Sequence, residues 1–494
     1  MPQKHIAIIG AGPGGLTAGM ILAKRGYKVS IFERETTVGG RNASICMNGY
    51  TFDTGPTFLM MGFVLREMFA EAGRSIDDYC KLVPLDPMYK LSFTDIEVFP
   101  TTNRASMKEQ IAKLFPGNED GVDRFDKNEK IRYDKMYPCL KKDYSTFKEM
   151  FCAPLLKALP HLSLGRTLMG VLGNYFTPEK LQICFTFQAK YIGMSPWECP
   201  AAFAIMPYIE HSLGIDHVIG GLSRISLAMA EVVREHGGEI NCGALVKRVR
   251  VAGRNATGIE LASGDTVSAD AVIINADFGH AMSTLFGPGI IRKWAPKKLL
   301  GKKYSCSTFM LYLGVDKIYD EPHHNIIFAN DYAENVKDII VRARVSDDMS
   351  VYVRNASRND DTIAPQGHSA IYVLVPTPNM KSNVSWDQAM TKAYRDKVVQ
   401  RIMERTSMQD LDKHITCEKI ITPMQWQDEH NLFLGATFNL GHTLTQMLYL
   451  RPRNKFEEVG HCYLVGGGTH PGSGLPTIYE SARISANLIG KYER

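Results

Sequence analysis

The stretch that decides the fold is HIAIIGAGPGGLTAGMILAKRGYKVSIFE at residues 5–33. It opens with a largely apolar run that ends in glycine. After a glycine-rich turn, apolar residues recur at helical spacing until Gly26. KVSIFE, at 28–33, is a second apolar strand. Strand, tight turn, helix and strand make a βαβ unit, so the sequence predicts an α/β fold built on a parallel sheet with helices on its faces.

The turn between the first strand and the helix has the spacing G-x-G-x-x-G at Gly10, Gly12 and Gly15. The first glycine permits the tight turn, the second lets the backbone approach a pyrophosphate, and the third lets helix and strand pack closely. Glu33 ends the second strand, where a carboxylate can accept hydrogen bonds from ribose hydroxyls. These residues predict a dinucleotide site with its phosphates at the helix N-terminus.

Two further segments follow soon after the second strand. Gly39 and Gly40 allow the backbone to pass close to a flat cofactor, and Arg41 can pair with a phosphate oxygen. The segment FDTGPT occupies residues 52–57. With the first turn, these segments resemble the flavin-dependent amine oxidase and carotenoid desaturase superfamily, in which an AGPGGL turn, a strand ending in Glu and a GGR triplet hold FAD.

The C-terminal part narrows the resemblance. LVGGGTHPGSGLP at 464–476 is similar to a signature of the bacterial-type phytoene desaturases, as are NLGHTLTQMLYLRPRN at 439–454 and YSCS at 304–307. The resemblance extends over nearly the whole chain. YSCS and FLMM at 58–61 look more like the C30 diapophytoene (dehydrosqualene) desaturases than the C40 enzymes. Gly468 stands where flavin amine oxidases often have Asp, which counts against an amine oxidase.

The resemblance implies FAD as the cofactor and assigns the residues that hold it. The last glycine-rich loop would line the flavin, and the helix after it would aim its positive N-terminus at the isoalloxazine ring. The predicted cofactor residues are Gly10, Gly12, Gly14, Gly15, Glu33, Arg34, Gly40, Arg41, Gly55, Pro56, Thr57, Val246, Gly467, Gly468, Leu475 and Pro476.

The implied function is a FAD-dependent desaturase that introduces conjugated double bonds into a long isoprenoid hydrocarbon, phytoene or diapophytoene. A hydride would pass to the flavin. The sequence contains no second G-x-G-x-x-G motif after a strand, so it gives no sign of an NAD(P)H site, and oxygen or a membrane quinone would accept the electrons. A related carotenoid oxidase or isomerase, or a retinol-saturase-like enzyme, stays open. A flavin amine oxidase and a non-catalytic flavin-binding scaffold are more distant alternatives.

No acid/base constellation stands out in the sequence. The candidates are His470 in the THPG run and the Asp216–His217 pair, and for each the more ordinary interpretation is a loop residue that shapes a turn. His323 and His324 have no third ligand at metal spacing, and the ten cysteines include no CxxC. The sequence therefore predicts no metal site and a reducing, cytoplasmic setting.

Composition and charge limit the partners. With 494 residues, 45% hydrophobic and 22% charged, the chain is globular in composition and long enough for about two or three domains. The net charge is only +5. The densest basic cluster is more typical of a solvated face than of a site for an anionic partner such as lipid headgroups, and nothing beyond this cluster supports nucleic-acid binding. It comprises Lys297, Lys298, Lys302 and Lys303.

A bilayer-resident substrate implies peripheral membrane attachment. No stretch is apolar enough to span a bilayer. The segment 155–175 mixes apolar residues with Lys157 and Arg166, as an interfacial element does, although the same pattern also fits an ordinary helix of the domain.

The predicted architecture is a discontinuous Rossmann-like FAD-binding domain with two inserted parts. One insert is a substrate-binding domain built on a mixed β-sheet, and the other is a helical, membrane-associating region. The predicted ranges are 1–90, 215–290 and 415–494 for the FAD-binding domain, 91–104 and 291–414 for the substrate-binding domain, and 105–214 for the helical region.

Overall fold

The structure is a computed structural model that describes residues 3–493, with the backbone alone over 190–192. The predicted range 1–90 begins at residue 1 and the range 415–494 ends at residue 494, and residues 1, 2 and 494 lie outside the described residues. The strands, in chain order, are β1 (His5–Ile9), β2 (Lys28–Phe32), β3 (Ser44–Met47), β4 (Tyr50–Asp53), β5 (Leu59–Met60), β6 (Leu82–Pro84), β7 (Lys90–Ser92), β8 (Glu97–Val98), β9 (Ile215–Val218), β10 (Glu239–Asn241), β11 (Val246–Ala252), β12 (Asn255–Leu261), β13 (Thr266–Ser268), β14 (Ala271–Ile274), β15 (Ser307–Val315), β16 (His324–Ile327), β17 (Val351–Asn355), β18 (Ser369–Thr377), β19 (Ile415–Ile421) and β20 (Cys462–Leu464).

The α-helices, again in chain order, are α1 (Pro13–Lys24), α2 (Gly62–Glu71), α3 (Arg104–Leu114), α4 (Asp120–Leu140), α5 (Ala153–Ala158), α6 (Leu168–Leu172), α7 (Glu179–Cys184), α8 (Ile205–Leu213), α9 (Ser223–Glu235), α10 (Phe278–Thr284), α11 (Pro296–Leu300), α12 (Tyr332–Ile340), α13 (Gln388–Arg405), α14 (Leu411–His414), α15 (Pro423–Asp428) and α16 (Leu475–Tyr492). Within the described residues, no helix is both long enough and apolar enough to cross a bilayer.

A five-stranded parallel sheet carries the N-terminal βαβ unit. Its strand order is β10-β2-β1-β14-β20, and every neighbouring pair is parallel. The apolar strands pack against α1, which in turn packs against α9 and α16. Strand, helix and strand thus form where the sequence predicts them, and the predicted α/β fold is confirmed.

A seven-stranded mixed sheet is the second large sheet of the structure. Its order is β19-β15-β18-β17-β16-β7-β8, in which only the β16–β7 pair is parallel. β15 is buried along its whole length, and α13 covers the sheet with apolar side chains. β19 lies inside the range 415–494, which the sequence assigned to the FAD-binding domain, but it pairs with β15 of this sheet. The domain ranges otherwise stay predictions.

Residues 105–214 form mostly helices and turns, as the sequence predicts. The longest helix there is α4, and short helices and turns make up most of the rest. The segment 155–175, which the sequence interprets as an interfacial element, is not one helix but contains the end of α5, a 3-10 turn at Leu159–His161 and α6. Pro154 and Pro160 sit in the first turns of two of these short pieces.

A buried network of charges joins the first part of the chain to the seven-stranded sheet. Arg354 on β17 pairs with Asp53 at the end of β4 at 2.7 Å, and both side chains are nearly inaccessible. The same guanidinium donates to Nδ1 of His217 at 3.2 Å, and Nε2 of His217 lies 2.8 Å from Asp360. Because each charge is buried and paired, loss of one partner leaves another charge uncompensated.

We expect R354M to lower the free energy of unfolding by about 3 to 5 kcal/mol, because Asp53 would stay buried without its cation. Arg358 is the matched control, since its pair with Asp320 is exposed and R358M should cost less than about 1 kcal/mol. Urea denaturation followed by tryptophan fluorescence measures both. Equal losses in the two variants would contradict this account.

Candidate active site

The site begins where four parallel strands end side by side. The Gly10 amide donates to the Phe32 carbonyl at 2.8 Å, and the Asn275 amide donates to the Ile9 carbonyl at 2.8 Å. In the same way, the Val465 amide donates to the carbonyl of Ile274 at 3.1 Å. The residues that follow β1, β2, β14 and β20 therefore lie at one edge of the sheet, which is where open α/β sheets bind ligands.

The first turn is packed too closely for side chains. Gly10 has a φ of +96°, and a Cβ on Gly15 would lie 2.2 Å from the Gly10 carbonyl oxygen. The Asn275 side chain donates to the same oxygen at 3.0 Å. α1 then starts with Gly12 as its N-cap, without a capping side chain and without an acidic residue in its first turn. The open N–H groups and the positive end of the helix suit a pyrophosphate.

Glu33 holds the turn from the second strand. Its carboxylate accepts the amide of Ala11 at 2.7 Å and the amide of Glu35 at 3.0 Å, and the side chain is buried. Each carboxylate oxygen has further acceptor capacity, which fits a ribose hydroxyl. These contacts, like those of the glycine turn, fit the nucleotide part of FAD.

The segment after β4 is fixed by tyrosines of the seven-stranded sheet. Tyr312 donates to the carbonyl of residue 54 at 2.6 Å, and Tyr372 donates to the Gly55 carbonyl at 2.8 Å. The Tyr352 hydroxyl lies 2.8 Å from Oγ1 of Thr57. Burial raises the pKa of all three phenols, so they stay neutral hydrogen-bonding groups. They place residues 55–57 against the cavity described below.

The C-terminal glycine run closes the site from the other side. A Cβ on Gly468 would lie 2.6 Å from Cβ of Phe278 and 2.7 Å from Oδ1 of Asn439, so this position has no room for the Asp of the amine oxidases. Downstream, α16 begins after Gly474 with no capping side chain and no acidic residue in its first turn. The positive end of an 18-residue helix therefore faces the site.

One cavity of about 840 Å³ connects these segments. It runs from the first turn past residues 55–57 to the last glycine run, and onward between the seven-stranded sheet and the helical region. Of the predicted cofactor residues only Gly15 is not in its wall, because Gly15 packs against Gly10 behind the turn. The wall includes Gly10, Gly12, Gly14, Glu33, Arg34, Gly40, Arg41, Gly55, Pro56, Thr57, Val246, Gly467, Gly468, Leu475 and Pro476.

His470 lies outside this wall. Its Nε2 is 2.9 Å from the Lys142 carbonyl, and its ring meets Tyr144 at a centroid distance of 5.0 Å. Burial lowers the pKa of His470 to about 3, so it is neutral at physiological pH. These contacts favour a role in joining the C-terminal loop to the helical region.

Asp216 and His217 also lie away from the cavity wall. His217 belongs to the buried charge network with Asp360 and Arg354. Asp216 is paired with Leu59 in the small β5–β9–β6 sheet, and burial raises the pKa of its carboxyl. The structure therefore leaves all three candidate acid/base residues outside the cavity wall, and the two histidines have hydrogen-bond partners elsewhere.

The sequence interpretation missed two polar residues at the sheet edge. Asn275 ties the first turn to β14, and Asp277 caps α10 by accepting the His280 amide at 3.0 Å. Asp277 also accepts the side-chain amide of Asn439 at 2.6 Å, while burial raises the pKa of its carboxyl. A signal for them existed, because both follow the apolar run AVII at the end of a third parallel strand.

Arg41 lies between the first turn and the C-terminal part. One of its nitrogens donates to the Thr437 carbonyl at 2.6 Å. The guanidinium has further N–H donors, and it lines the cavity. This fits the predicted contact with a phosphate oxygen.

The fold and the cavity are those of a protein that binds a dinucleotide at the edge of its parallel sheet. Residues 13–490 match the model of the flavin containing amine oxidoreductases, and the chain belongs to that family. This confirms the predicted superfamily, the predicted FAD cofactor and the predicted enzyme class.

Two relatives of the chain carry desaturase names. The chain is 51% identical over 491 residues to a 4,4'-diapophytoene desaturase (4,4'-diapolycopene-forming) of a Methylomonas species, a match that covers 99% of this chain and 96% of the relative. It is 36% identical to an all-trans-zeta-carotene desaturase of Myxococcus xanthus, with 98% and 93% covered. Among solved structures, an oxidoreductase from Methanosarcina mazei matches with a TM-score of 0.64 at 15% identity, over 97% of this chain and 99% of that one.

We expect G15A to lower both the flavin content and the melting temperature, because its Cβ would displace the Gly10 carbonyl that the first turn is built around. G301A is the control, since Gly301 has a φ of −78° and a Cβ there would meet nothing closer than 3.5 Å. The ratio of flavin to protein absorbance after purification gives the flavin content. A G15A protein with a native flavin content would contradict the assigned packing.

Proposed function

We propose that this chain is a FAD-dependent carotenoid desaturase that acts on the C30 hydrocarbon 4,4'-diapophytoene and carries it to 4,4'-diapolycopene. The observation that carries the proposal is the 51% identity, over almost the full length of both chains, to the Methylomonas enzyme of that name. The cavity also supports the proposal, because the part lined by the predicted cofactor residues is continuous with a part lined by apolar side chains.

The part of the cavity beyond residues 55–57 suits a long hydrocarbon. Helical-region and sheet residues with apolar side chains form its wall, among them Met136, Leu155, Phe203, Ile209, Met310 and Leu374. A polyene has no charge by which it could be recognised, so its binding rests on burial, worth about 25 cal/mol per Å² of apolar surface. A wall of this kind holds the hydrocarbon by apolar contacts along the whole length of the hydrocarbon.

Bound flavin supplies an acceptor for the hydride that leaves an allylic carbon, while a proton leaves the adjacent carbon. The residues of this chain supply the position of the substrate and the exclusion of water. The tyrosines behind residues 54–57 keep that segment in place, since two of them hold its carbonyl groups directly. None of the histidine–carboxylate ion pairs among the described residues lies in the cavity wall, which fits a reaction that depends mainly on placement.

A flavin amine oxidase is the more distant alternative, and the charges in the cavity wall disfavour it. A protonated amine binds favourably beside a carboxylate that has no other partner. The three carboxylates of the wall are engaged: Glu33 accepts amides, Glu35 pairs with Arg34 at 2.8 Å, and Asp277 caps α10.

The substrate resides in bilayers, and one surface of the protein fits a bilayer. We define the mouth patch as seven exposed apolar residues, of which Leu164 and Leu444 also line the cavity: Phe147, Phe151, Leu156, Leu159, Leu164, Leu444 and Leu450. The rings of Phe147 and Tyr449 lie 5.7 Å apart, which joins the helical part of the patch to the C-terminal part. We infer peripheral docking through this patch, with oxygen or a membrane quinone as the electron acceptor.

We expect FAD-loaded protein to convert 4,4'-diapophytoene in liposomes to products with new visible absorbance, and to act more slowly on C40 phytoene. Putrescine serves as the control substrate for the amine oxidase alternative. Pigment extraction and chromatography identify the products. Oxidation of putrescine, or no pigment from either hydrocarbon, would contradict the proposal.

We expect F147S/F151S to bind liposomes at least about tenfold more weakly than the native chain, because two largely exposed aromatic side chains would no longer enter the bilayer. The matched control is I318S/V341S, which removes two equally exposed apolar side chains outside the mouth patch. Vesicle flotation measures the bound fraction. Equal binding by both double variants would exclude the mouth patch as the docking surface.

A further inference from the structure

Arg451 lies behind the C-terminal glycine run and is fully buried. Its guanidinium donates only to backbone carbonyls in the described structure. These are the carbonyls of Gly467 at 2.7 Å, Thr469 at 3.1 Å, Gln446 at 3.2 Å and Leu440 at 3.3 Å.

Arg451 differs from the other buried cations that the structure describes. Lys90, Arg132 and Arg354 each have a carboxylate partner, at 2.7, 3.0 and 2.7 Å respectively. Arg451 forms no such ion pair among the described residues, and burial lowers its pKa to about 9, which still leaves it charged at neutral pH. A buried charge without a counter-ion is costly, which calls for an explanation beyond packing.

The charge of Arg451 lies one residue behind the cavity wall. The Gly467 carbonyl that it binds belongs to a residue of the cavity wall, and the N-terminus of α16 faces the same space. No acidic partner cancels the charge, and the protein interior screens it less than water does. A ligand that gains negative charge beside Gly467 and Gly468 is therefore stabilised.

We propose that Arg451 is a positioning residue that orders the glycine run 466–468 and supplies a fixed positive charge that favours the two-electron reduction of flavin bound there. The inference rests on the proposed function, since it needs flavin to lie against this run. Reduction by two electrons with uptake of one proton adds one negative charge to the ring system, and the hydrocarbon that loses a hydride and a proton gains a double bond.

The test is the midpoint potential of FAD in R451Q, in the native protein and in R453Q. Xanthine, oxidised to urate by xanthine oxidase, supplies the electrons, and a reference dye reports the potential. We expect R451Q to lower the equilibrium constant for reduction at least about tenfold, which is about 30 mV for two electrons. R453Q is the matched control, because Arg453 stacks on Tyr449 at 3.9 Å and lies near Glu457 rather than on the glycine run.

R451K separates charge from packing. A buried lysine loses its proton more readily than arginine does. We therefore expect the midpoint potential of FAD in R451K, measured relative to the native protein, to decrease as the pH is raised from about 6.5 to about 8.5. A native potential in R451Q, or a pH-independent difference in R451K, would overturn the proposal. Loss of flavin from both variants would also overturn it, because it would leave Arg451 a purely structural role. A native chain that binds no FAD would instead refute the proposed function.

Discussion

Backbone hydrogen bonds between the carboxyl ends of parallel strands hold the whole site together. They place the residues after β1, β2, β14 and β20 within one edge, and the close approach of Gly15 to the Gly10 carbonyl fixes the first turn there. Two helices, α1 and α16, then begin at this edge without capping side chains. Their N–H groups and positive ends make the same edge favourable for phosphates and for a ring that gains negative charge.

The polar edge is continuous with an apolar space, and the two parts come from different segments. The phenols of Tyr312 and Tyr372 reach from the seven-stranded sheet to the carbonyls of residues 54 and 55. The Asp53–Arg354 pair joins the same two segments through buried charge. These contacts couple the position of the cofactor region to the wall of the hydrocarbon region, which a reaction governed by placement requires.

Much of the nucleotide half could be predicted, because its signals are local. Spacing alone identifies Gly10, Gly12 and Gly15, and Glu33 follows from the end of the second strand. What the sequence left open or assigned elsewhere depends on contacts distant in the chain. For His470 the sequence favours a loop residue that shapes a turn over a catalytic role, but it does not show that the Lys142 carbonyl lies at Nε2. Likewise, β19 belongs to the seven-stranded sheet only through its pairing with β15. Arg451, inside the run RPRN, gives no sign in the sequence that it is buried.

The most direct measurement is a crystal structure of the protein with FAD and a saturated analogue of the C30 substrate. We expect the isoalloxazine ring to lie against Gly467 and Gly468, with the hydrocarbon beside it between the helical region and the seven-stranded sheet. Flavin bound away from the glycine run, or a hydrocarbon found outside the cavity, would contradict it.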